Sequence, residues 1–379
     1  MDDKLKVLIV DDTVTYRQIL VDVFSSIKDI EVLGTASNGK IALTKIENLS
    51  PDLVFLDVAM PVMDGIETLS EIKKRFPNVD AVMVSGIDKE NANLTLKALE
   101  LGAIDFISKP KSNSIPESIA EIKISISRIL SLAKTRKYSR QIRRASVVEI
   151  KTEPLIQKPI LVKPITAPIS MPVEPLVTQK RKIPKIDVVA IGVSTGGPNA
   201  LNEVIPRLEK NIGVPILAVQ HMPPTFTASL AERLNKLSNI KVVEGREGDP
   251  VEKGVMYLSP GGIHMVIRKS GFNISIGLVD SPPVKSCRPA VDVLFRSIGM
   301  IYGGNVLTVI LTGMGNDGTD GVAMIRRKGG YSIVQDEKTS VVWGMPGAVA
   351  AANDADEILP LNKIADRIME IVRRGQASC

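Results

Sequence analysis

Short runs of aliphatic, often β-branched residues alternate with amphipathic segments along the first third of the chain. The runs that we predict to be strands are 7–10, 32–35, 53–56, 81–84 and 103–107. Segments with helical periodicity, such as Val14 to Ile27 and Asn91 to Leu101, lie between them. Because parallel strands need a crossover connection that is usually a helix, this alternation predicts a parallel sheet covered by helices on both faces.

The same alternation returns in the second half of the chain. The predicted strands there are 188–193, 216–220, 254–258, 306–311 and 331–335. Between the two halves, seven prolines from Pro154 to Pro184 stand three to nine residues apart, which leaves no room for a long helix. The sequence therefore predicts an α/β protein with two doubly wound parallel-sheet domains, 1–132 and 185–379, joined by a Pro-rich linker over 133–184.

Positive charge is concentrated in this linker and at its C-terminal end. Thirteen Lys or Arg and three Glu lie between Lys134 and Lys185, a local charge of +10 compared with +6 for the whole chain. The two predicted domains are therefore slightly acidic, and with 3% aromatic residues the chain lacks a basic, base-stacking surface for nucleic acid. The basic stretch Arg136 to Arg144 could be the end of a helix, a phosphate-binding patch or a solvated tether.

Membrane and disulfide signals are both missing from the sequence. No run of about 18 apolar residues is present, and the N-terminal apolar stretch stops at Asp11. Two cysteines, Cys287 and Cys379, are too few for a disulfide framework or a cysteine-ligated structural zinc. We therefore expect a cytoplasmic protein without membrane insertion.

Polar side chains follow the predicted strands of the N-terminal half. Asp11 and Asp12 follow the first strand, Asp57 the third, Ser85 the fourth and Lys109 the fifth. Singly, such residues are often helix caps or surface charges. Together, at the carboxyl edge of one parallel sheet, three carboxylates predict a Mg²⁺ site, and the hydroxyl and ammonium suit a phosphoryl group. Asp57 could then act as a nucleophile toward a phosphoryl donor.

This half of the chain resembles a response-regulator receiver domain, which has a flavodoxin-like fold. The matching segments are Val10-Asp11-Asp12, Asp57 to Pro61, Asp64-Gly65 and Lys109-Pro110. The resemblance implies that a sensor histidine kinase supplies the phosphoryl group to Asp57, and that Asp11 and Asp12 complete the Mg²⁺ site. It also implies that Ser85 is the switch hydroxyl, that Lys109 pairs with the phosphate and that Phe106 is an aromatic residue that rotates.

A glycine-rich turn opens the C-terminal half. The run Gly192 to Pro198 reads G-V-S-T-G-G-P directly after a predicted strand and matches G-x-S-x-G, the turn that exposes a nucleophilic serine, here Ser194. A phosphate-binding loop at a helix N-terminus is the alternative. The spacing of a P-loop and that of a dinucleotide fingerprint are both missing.

A nucleophilic serine needs a base and an acid, and the chain has two histidines. His221 follows a predicted strand, whereas His264 lies in a Pro-Gly-Gly turn context. Asp317 lies in a glycine-rich loop after a later strand. The order Ser, His, Asp differs from that of α/β-hydrolases, which would need His264 as the base and an acid such as Glu244, Glu247 or Asp249 before it. Taken alone, His221 could be a core histidine and Asp317 a turn residue.

From about residue 186 the chain resembles the catalytic domain of the CheB family of chemotaxis protein-glutamate methylesterases, a Rossmann-like esterase domain. The matching segments are Gly192 to Pro198, Gln220-His221-Met222, Ser259 to Gly262 with His264, Arg288-Pro289 with Asp292 and Phe295, Gly313 to Gly318, and Trp343 to Pro346. The order of receiver, linker and esterase is also that of the family. The resemblance implies that Ser194 is the nucleophile, His221 the base and Asp317 the orienting acid, with the amides of Thr195 and Met314 near the oxyanion.

The resemblance further implies a phosphorylation-regulated hydrolase that cleaves glutamate methyl esters on chemoreceptor helices through an acyl-enzyme and also deamidates glutamines. It implies Mg²⁺ for phosphorylation and no cofactor for ester hydrolysis. A non-enzymatic module whose binding is gated by phosphorylation is the alternative, and a DNA-binding regulator is disfavoured because no helix-turn-helix is evident near the end of the chain. The receiver could act by covering the esterase site or by aligning it.

Overall fold

We describe a computed structural model of the 379-residue chain over residues 4–109, 122, 123, 126, 129–138, 140 and 181–377. The first domain is a five-stranded parallel sheet in the order β2-β1-β3-β4-β5. Its strands are β1 (Leu5–Val10), β2 (Ile30–Ala36), β3 (Leu53–Asp57), β4 (Asp80–Ser85) and β5 (Asp105–Ser108). Its helices are α1 (Val14–Ser25), α2 (Gly39–Leu49), α3 (Gly65–Arg75), α4 (Lys89–Glu100) and the helical residues 129–138, here called α5.

The second domain is a seven-stranded parallel sheet in the order β14-β13-β12-β6-β7-β9-β8. Its strands are β6 (Val188–Val193), β7 (Ile216–Gln220), β8 (Lys241–Glu244), β9 (Val255–Leu258), β12 (Val306–Ile310), β13 (Tyr331–Gln335) and β14 (Glu357–Leu359). Its helices are α6 (Gly197–Val204), α7 (Phe226–Leu237), α8 (Val291–Tyr302), α9 (Thr319–Arg327), α10 (Met345–Ala351) and α11 (Leu361–Ala377). An antiparallel hairpin, β10 (His264–Ser270) with β11 (Asn273–Val279), packs on α8.

The predicted fold class is confirmed, because both domains are parallel sheets with α/β connections. All ten strands expected from the sequence are present with small shifts at their ends. The hairpin β10–β11 and the edge strands β8 and β14 were not predicted. His264, expected in a turn, instead begins β10 and is buried, so the turn context was a wrong interpretation. Its Nδ1 accepts a hydrogen bond from the amide of Ala290 at 3.1 Å.

The two domains contact each other through α4 and β5 of the first and α6 and α7 of the second. Lys89 on α4 pairs with Glu232 on α7 at 2.7 Å. Asn202 on α6 donates to Glu100 Oε1 at 2.7 Å, and Phe106 on β5 stacks on Phe226 of α7 with ring centroids 4.5 Å apart. One buried hydrophobic cluster runs through this contact and includes core residues of both sheets.

Basic residues of α5, together with Arg140, pair with carboxylates of the first domain. Lys134 contacts Asp29 at 2.9 Å and Lys137 contacts Asp52 at 3.0 Å, while Arg136 and Arg140 both pair with Asp80. The start of the basic stretch is therefore the end of a helix that stays on the first sheet. The proline-spaced part of the predicted linker, 154–180, lies outside the described residues, and the predicted domain boundaries stay a prediction. Within the described part of the chain no helix is long and apolar enough to cross a membrane.

Candidate functional site

The first site lies at the carboxyl edge of the five-stranded sheet. Asp11 and Asp57 are buried and Asp12 is exposed, and one carboxylate oxygen from each lies within 4.8 Å of the others. Lys109 Nζ is 2.8 Å from Asp57 Oδ2 and 2.8 Å from Asp11 Oδ2. Three converging carboxylates are the hard oxygen ligands that Mg²⁺ prefers. The residues present thus fit the predicted metal.

Burial dominates the ionisation of Asp57. Burial and the negative charge of Asp11 both raise the pKa of this carboxyl, whereas the hydrogen bond from Lys109 lowers it. Burial is the largest of these effects, and the pKa is raised to about 6. A buried carboxylate with a raised pKa is costly to keep ionised. Two cations can offset that cost here, the lysine and a divalent ion beside the carboxylates.

Ser85 and Phe106 connect this site to the interface between the domains. Ser85 follows Val84, the residue of β4 that pairs with Asp57, and its hydroxyl accepts from Thr95 Oγ1 of α4 at 2.7 Å. Phe106, two strands from Asp57 on β5, stacks on α7 of the second domain. A change at Asp57 can therefore reach α4 and β5, which are the elements that contact the second domain.

The second site begins at the turn between β6 and α6. The amide of Ser194 donates to Thr312 O at 3.0 Å, and the amide of Gly197 donates to Ser194 O at 2.7 Å, closing a tight turn. Gly196 has a φ of 76°, in the left-handed region that favours glycine. A Cβ on Gly197 would lie 1.9 Å from Gln220 Oε1, so a larger residue would require the Gln220 side chain to move. Local geometry thus accounts for Gly196 and Gly197 of the motif.

Asp317 is held by the N-terminus of α8. Its Oδ2 accepts from the amide of Val291 at 2.7 Å and its Oδ1 accepts from the amide of Asp292 at 3.0 Å. The helix N-terminus favours a negative charge at this position. Burial alone would raise the pKa of Asp317. The hydrogen bonds with His221 and with these two amides outweigh burial, so the pKa is lowered. Asp317 is therefore an ionised acceptor in a fixed orientation.

His221 directly follows β7, and its ring nitrogens face two different groups. Nε2 is 2.8 Å from Asp317 Oδ2, and Nδ1 is 3.6 Å from Cys287 Sγ. Burial opposes protonation of the ring, but the hydrogen bonds to Asp317 and Cys287 outweigh it and raise the pKa of His221 to about 9. In this conformation the imidazole is therefore mostly protonated at neutral pH.

Ser194 is close to this pair but is not hydrogen-bonded to it. The side chain is 2% exposed, and its hydroxyl has no hydrogen-bond partner among the described residues. Ser194, His221 and Cys287 line one cavity of about 300 Å³. The described conformation thus brings together the serine, the histidine and the aspartate predicted from the sequence, with Cys287 at the imidazole nitrogen that does not face Asp317.

Both domains line this cavity. Leu99, Asp105, Phe106, Ile107, Ser108 and Ile129 come from the first domain. Asp105 Oδ2 accepts from Thr195 Oγ1 at 3.1 Å, directly beside Ser194. The first domain therefore covers the serine in this conformation.

Met314 lies in the loop after β12, beside Gly313, whose backbone packs on Ser194. Its side chain lines a second cavity, between α5 and residues 337–343, rather than the one that holds Ser194.

Two further residues of the site were not predicted in a functional role. Gln220 donates from Nε2 to Ser194 O at 3.0 Å and so braces the serine turn. Lys285 contacts Asp292 at 2.8 Å and donates to Asn316 O at 3.0 Å, next to Asp317. Gln220 directly precedes His221 in the sequence, which is the one signal that could have indicated it. Lys285 lies in a loop with no recognisable motif.

Three clustered carboxylates beside a lysine on one sheet, and a serine, a histidine and an aspartate on a second, define a two-domain hydrolase of the phosphorylation-regulated class. A family model for the response regulator receiver domain matches residues 7–120, and the model for CheB methylesterase matches residues 189–368. The protein-glutamate methylesterase/protein-glutamine glutaminase of Desulfotalea psychrophila is 44% identical over 97% of this chain and 99% of its own length. The chain therefore belongs to the CheB methylesterase family.

A second relative and a solved structure are also similar to this chain. The protein of the same description from Trichodesmium erythraeum is 42% identical over 98% of this chain and 99% of its own length. The crystal structure of the Thermotoga maritima CheB methylesterase catalytic domain is 42% identical, covers 49% of this chain and 99% of its own, and has a TM-score of 0.49.

Proposed function

We propose that the chain is a phosphorylation-regulated protein-glutamate methylesterase of chemotaxis. It hydrolyses glutamate methyl esters on the cytoplasmic helices of chemoreceptors and also deamidates receptor glutamines, which places its work in the cytoplasm. The observation that supports this most directly is the 2.8 Å hydrogen bond between Asp317 and His221, which lines the cavity that holds Ser194. A base oriented by a buried carboxylate beside a serine is the arrangement that activates a hydroxyl nucleophile.

Ester cleavage follows from these groups in two steps. Ser194 Oγ attacks the ester carbonyl carbon while His221 takes the hydroxyl proton at Nδ1, because Nε2 is held by Asp317. The amides of Thr195 and Met314 stabilise the oxyanion, and the imidazolium then protonates the departing methoxide, which leaves as methanol. Water hydrolyses the acyl-enzyme by the same route and leaves a glutamate. With a glutamine substrate, ammonia takes the place of methanol.

The receiver domain inhibits this reaction by covering the site. A glutamate ester presented on a receptor helix cannot reach Ser194 while Asp105 and Phe106 line the cavity mouth and Thr195 is bonded to Asp105. The protonated imidazole also lacks the lone pair that a base needs. The described conformation is therefore interpreted as the resting one.

Phosphorylation of Asp57 releases this contact. Asp11, Asp12 and Asp57 would hold Mg²⁺, which would supply charge neutralisation for the phosphoryl group, and Lys109 pairs with the phosphate. Ser85 then turns toward the phosphate and leaves Thr95, to which it is now bonded at 2.7 Å. This movement of Ser85 draws α4 and Phe106 away from α7. The proposed partners are a sensor histidine kinase, which supplies the phosphoryl group, and the methylated receptor helices.

Methanol release from receptor membranes carrying labelled methyl groups tests the proposal. Wild-type protein treated with a small acyl phosphate should release methanol, and Ser194→Ala should bind the membranes without releasing it. Ser332→Ala is the matched control, because this serine is also buried at a strand of the same sheet but lies away from the cavity. Binding without methanol release by the wild type would favour the non-enzymatic binding module.

A further inference from the structure

Cys287 lies beside the imidazole nitrogen of His221 that does not face Asp317. The distance from Cys287 Sγ to His221 Nδ1 is 3.6 Å. Zinc bonds of about 2.3 Å to sulfur and 2.05 Å to nitrogen, at a tetrahedral angle, separate the two donor atoms by about 3.6 Å. We propose that Cys287 and His221 form a Zn²⁺ site, and that zinc bound there inhibits the esterase reversibly.

Asp317 prepares His221 for this role. Its carboxylate can only accept a hydrogen bond, so the proton between the two groups belongs to Nε2 and the lone pair of the neutral ring lies on Nδ1. Metal-binding histidines characteristically donate their other ring N–H to a carboxylate, which fixes the ring and strengthens it as a ligand. The thiol, the imidazole and this carboxylate each offer an atom within 4.8 Å of the others.

A third polar group faces the same cavity. The hydroxyl of Ser194 is buried and has no hydrogen-bond partner among the described residues, and it lines the cavity together with Cys287 and His221. A bound ion that keeps an open coordination position can take this hydroxyl or a water molecule as a further ligand. The unsatisfied hydroxyl is thus an independent sign that a polar species fits at this place.

The donor types select the metal. Sulfur and imidazole nitrogen suit Zn²⁺, whereas Mg²⁺ requires oxygen ligands in near-octahedral geometry. The carboxylates of Asp11, Asp12 and Asp57 offer oxygen donors alone. The chain therefore carries two metal-binding clusters of different chemistry, and excess Mg²⁺ occupies the receiver cluster without competing for Cys287.

Inhibition follows from the ligand set. Zinc on Nδ1 takes the lone pair that must accept the proton of Ser194, so neither acylation nor hydrolysis of the acyl-enzyme can proceed. Asp57 and its surroundings are not involved, and phosphorylation does not remove the metal. Zinc inhibition therefore regulates the enzyme independently of the kinase. The expected effect of zinc on the rate of ester hydrolysis rests on the proposed function.

Cobalt(II) replaces zinc as a spectroscopic probe of the site. Full-length protein is titrated with Co²⁺ in excess Mg²⁺ and a phosphine reductant, and the thiolate-to-cobalt charge-transfer band is followed in the near ultraviolet. The band should form in the wild type, disappear on addition of Zn²⁺ and be missing from Cys287→Ser. Cys379→Ser is the matched control, since it removes the other cysteine of the chain and should retain the band.

A band that persists in Cys287→Ser overturns the site, as does a wild type that shows none. Cys287→Ala provides a second variant, and the thermal unfolding of each variant shows whether it is folded. This measurement needs no esterase activity, so it separates a failure of the zinc site from a failure of the proposed function.

Zinc inhibition of methanol release tests the consequence. Each protein is compared with its own rate in a chelator, and the zinc concentration for half inhibition should rise by about tenfold or more in Cys287→Ser but not in Cys379→Ser. Equal zinc sensitivity of the wild type and Cys287→Ser contradicts inhibition through this site.

Discussion

His221 and Asp317 share a buried hydrogen bond, and we expect this bond to set the pH at which the imidazole can act as a base. Only the neutral ring accepts a proton, and the pKa of His221 is raised to about 9, so the fraction of competent enzyme grows as the pH rises through that value. We expect kcat/KM of the unphosphorylated protein for ester hydrolysis to increase from pH 7 to about 9.

Asp317→Asn tests the cause of this pH dependence. It removes the negative charge that favours the imidazolium, so the midpoint should move to lower pH while the maximal rate falls. The pH profile of methanol release for the two proteins is the measurement. A wild-type profile that is flat from pH 7 to about 9 would show that His221 is not the group that titrates.

Substitution of each member of the predicted triad should remove most of the activity. Because such residues act as a unit, Ser194→Ala and His221→Ala should each lower kcat by roughly 10⁴-fold or more, and Asp317→Ala should retain the most. His264→Ala is the control, since His264 is buried in β10 and bonded to the amide of Ala290. It should lower the unfolding temperature more than kcat. Wild-type activity in His221→Ala would refute the assignment.

Asp57 should be the phosphoacceptor, because it is the buried carboxylate that Lys109 contacts at the end of β3. Labelling by a small acyl phosphate, read as a gel shift on a phosphate-binding gel, should require Mg²⁺ and be lost in Asp57→Asn. Asp52→Asn is the matched control, because Asp52 lies just before the other end of the same strand and pairs with Lys137. A shift that survives in Asp57→Asn would place the phosphate elsewhere.

The sequence predicted the residues that strand order alone brings together. Asp11 follows β1, Asp57 ends β3 and Lys109 follows β5. Because β1, β3, β4 and β5 lie side by side in one parallel sheet, the meeting of these residues depends only on topology. Cys287 lies in the loop before α8, and no periodicity or motif fixes where such a loop folds. Its approach to His221 depends on the packing of that loop over the edge of the sheet. That is why its position could not be predicted.

We expect the contact between the helices α4 and α7 to hold the resting conformation. Lys89 and Glu232 form an exposed pair at 2.7 Å across it. Such a pair contributes about 0 to 1 kcal/mol, so its loss alone shifts the closed population by up to about fivefold, and the repulsion that a charge reversal introduces acts in the same direction. Lys89→Glu and Glu232→Lys should each raise basal methanol release, and the double variant should bring it back down. A double variant as active as the singles would show that this pair does not hold the domains together.

Elements were predicted where they are long and buried, and missed where they are short or peripheral. The inner strands of both sheets are buried along nearly their whole length and therefore show as aliphatic runs. The edge strand β8 has four residues with mixed exposure, and β14 has three. The hairpin β10–β11 is bonded in neither sheet. The glycine turn of the hairpin and the exposed Phe272 do not indicate which surface of the protein the hairpin packs on.

For the whole molecule, we expect the packing of the receiver on the esterase to set the resting rate. Deleting residues 1–140 removes the receiver, including the basic residues of α5 that pair with it. Because the seven-stranded sheet keeps its own core, the remaining chain should fold. The deletion also exposes apolar side chains of the second domain that pack on α4 and β5 in the full-length protein. We therefore expect the truncated protein to be less soluble.

The truncated protein should hydrolyse esters faster than the unphosphorylated full-length protein and should not respond to phosphodonor. If the interface stabilises the closed form by 1 to 3 kcal/mol, the order typical of coupling between sites, the rates should differ by about 5- to 150-fold. Steady-state methanol release from both proteins, with and without acyl phosphate, is the measurement. A truncated rate at or below the resting one would mean that the phosphorylated receiver aligns the site instead of uncovering it. Failure of the truncated chain to fold would mean that the buried cluster shared through Leu99 is part of the esterase core.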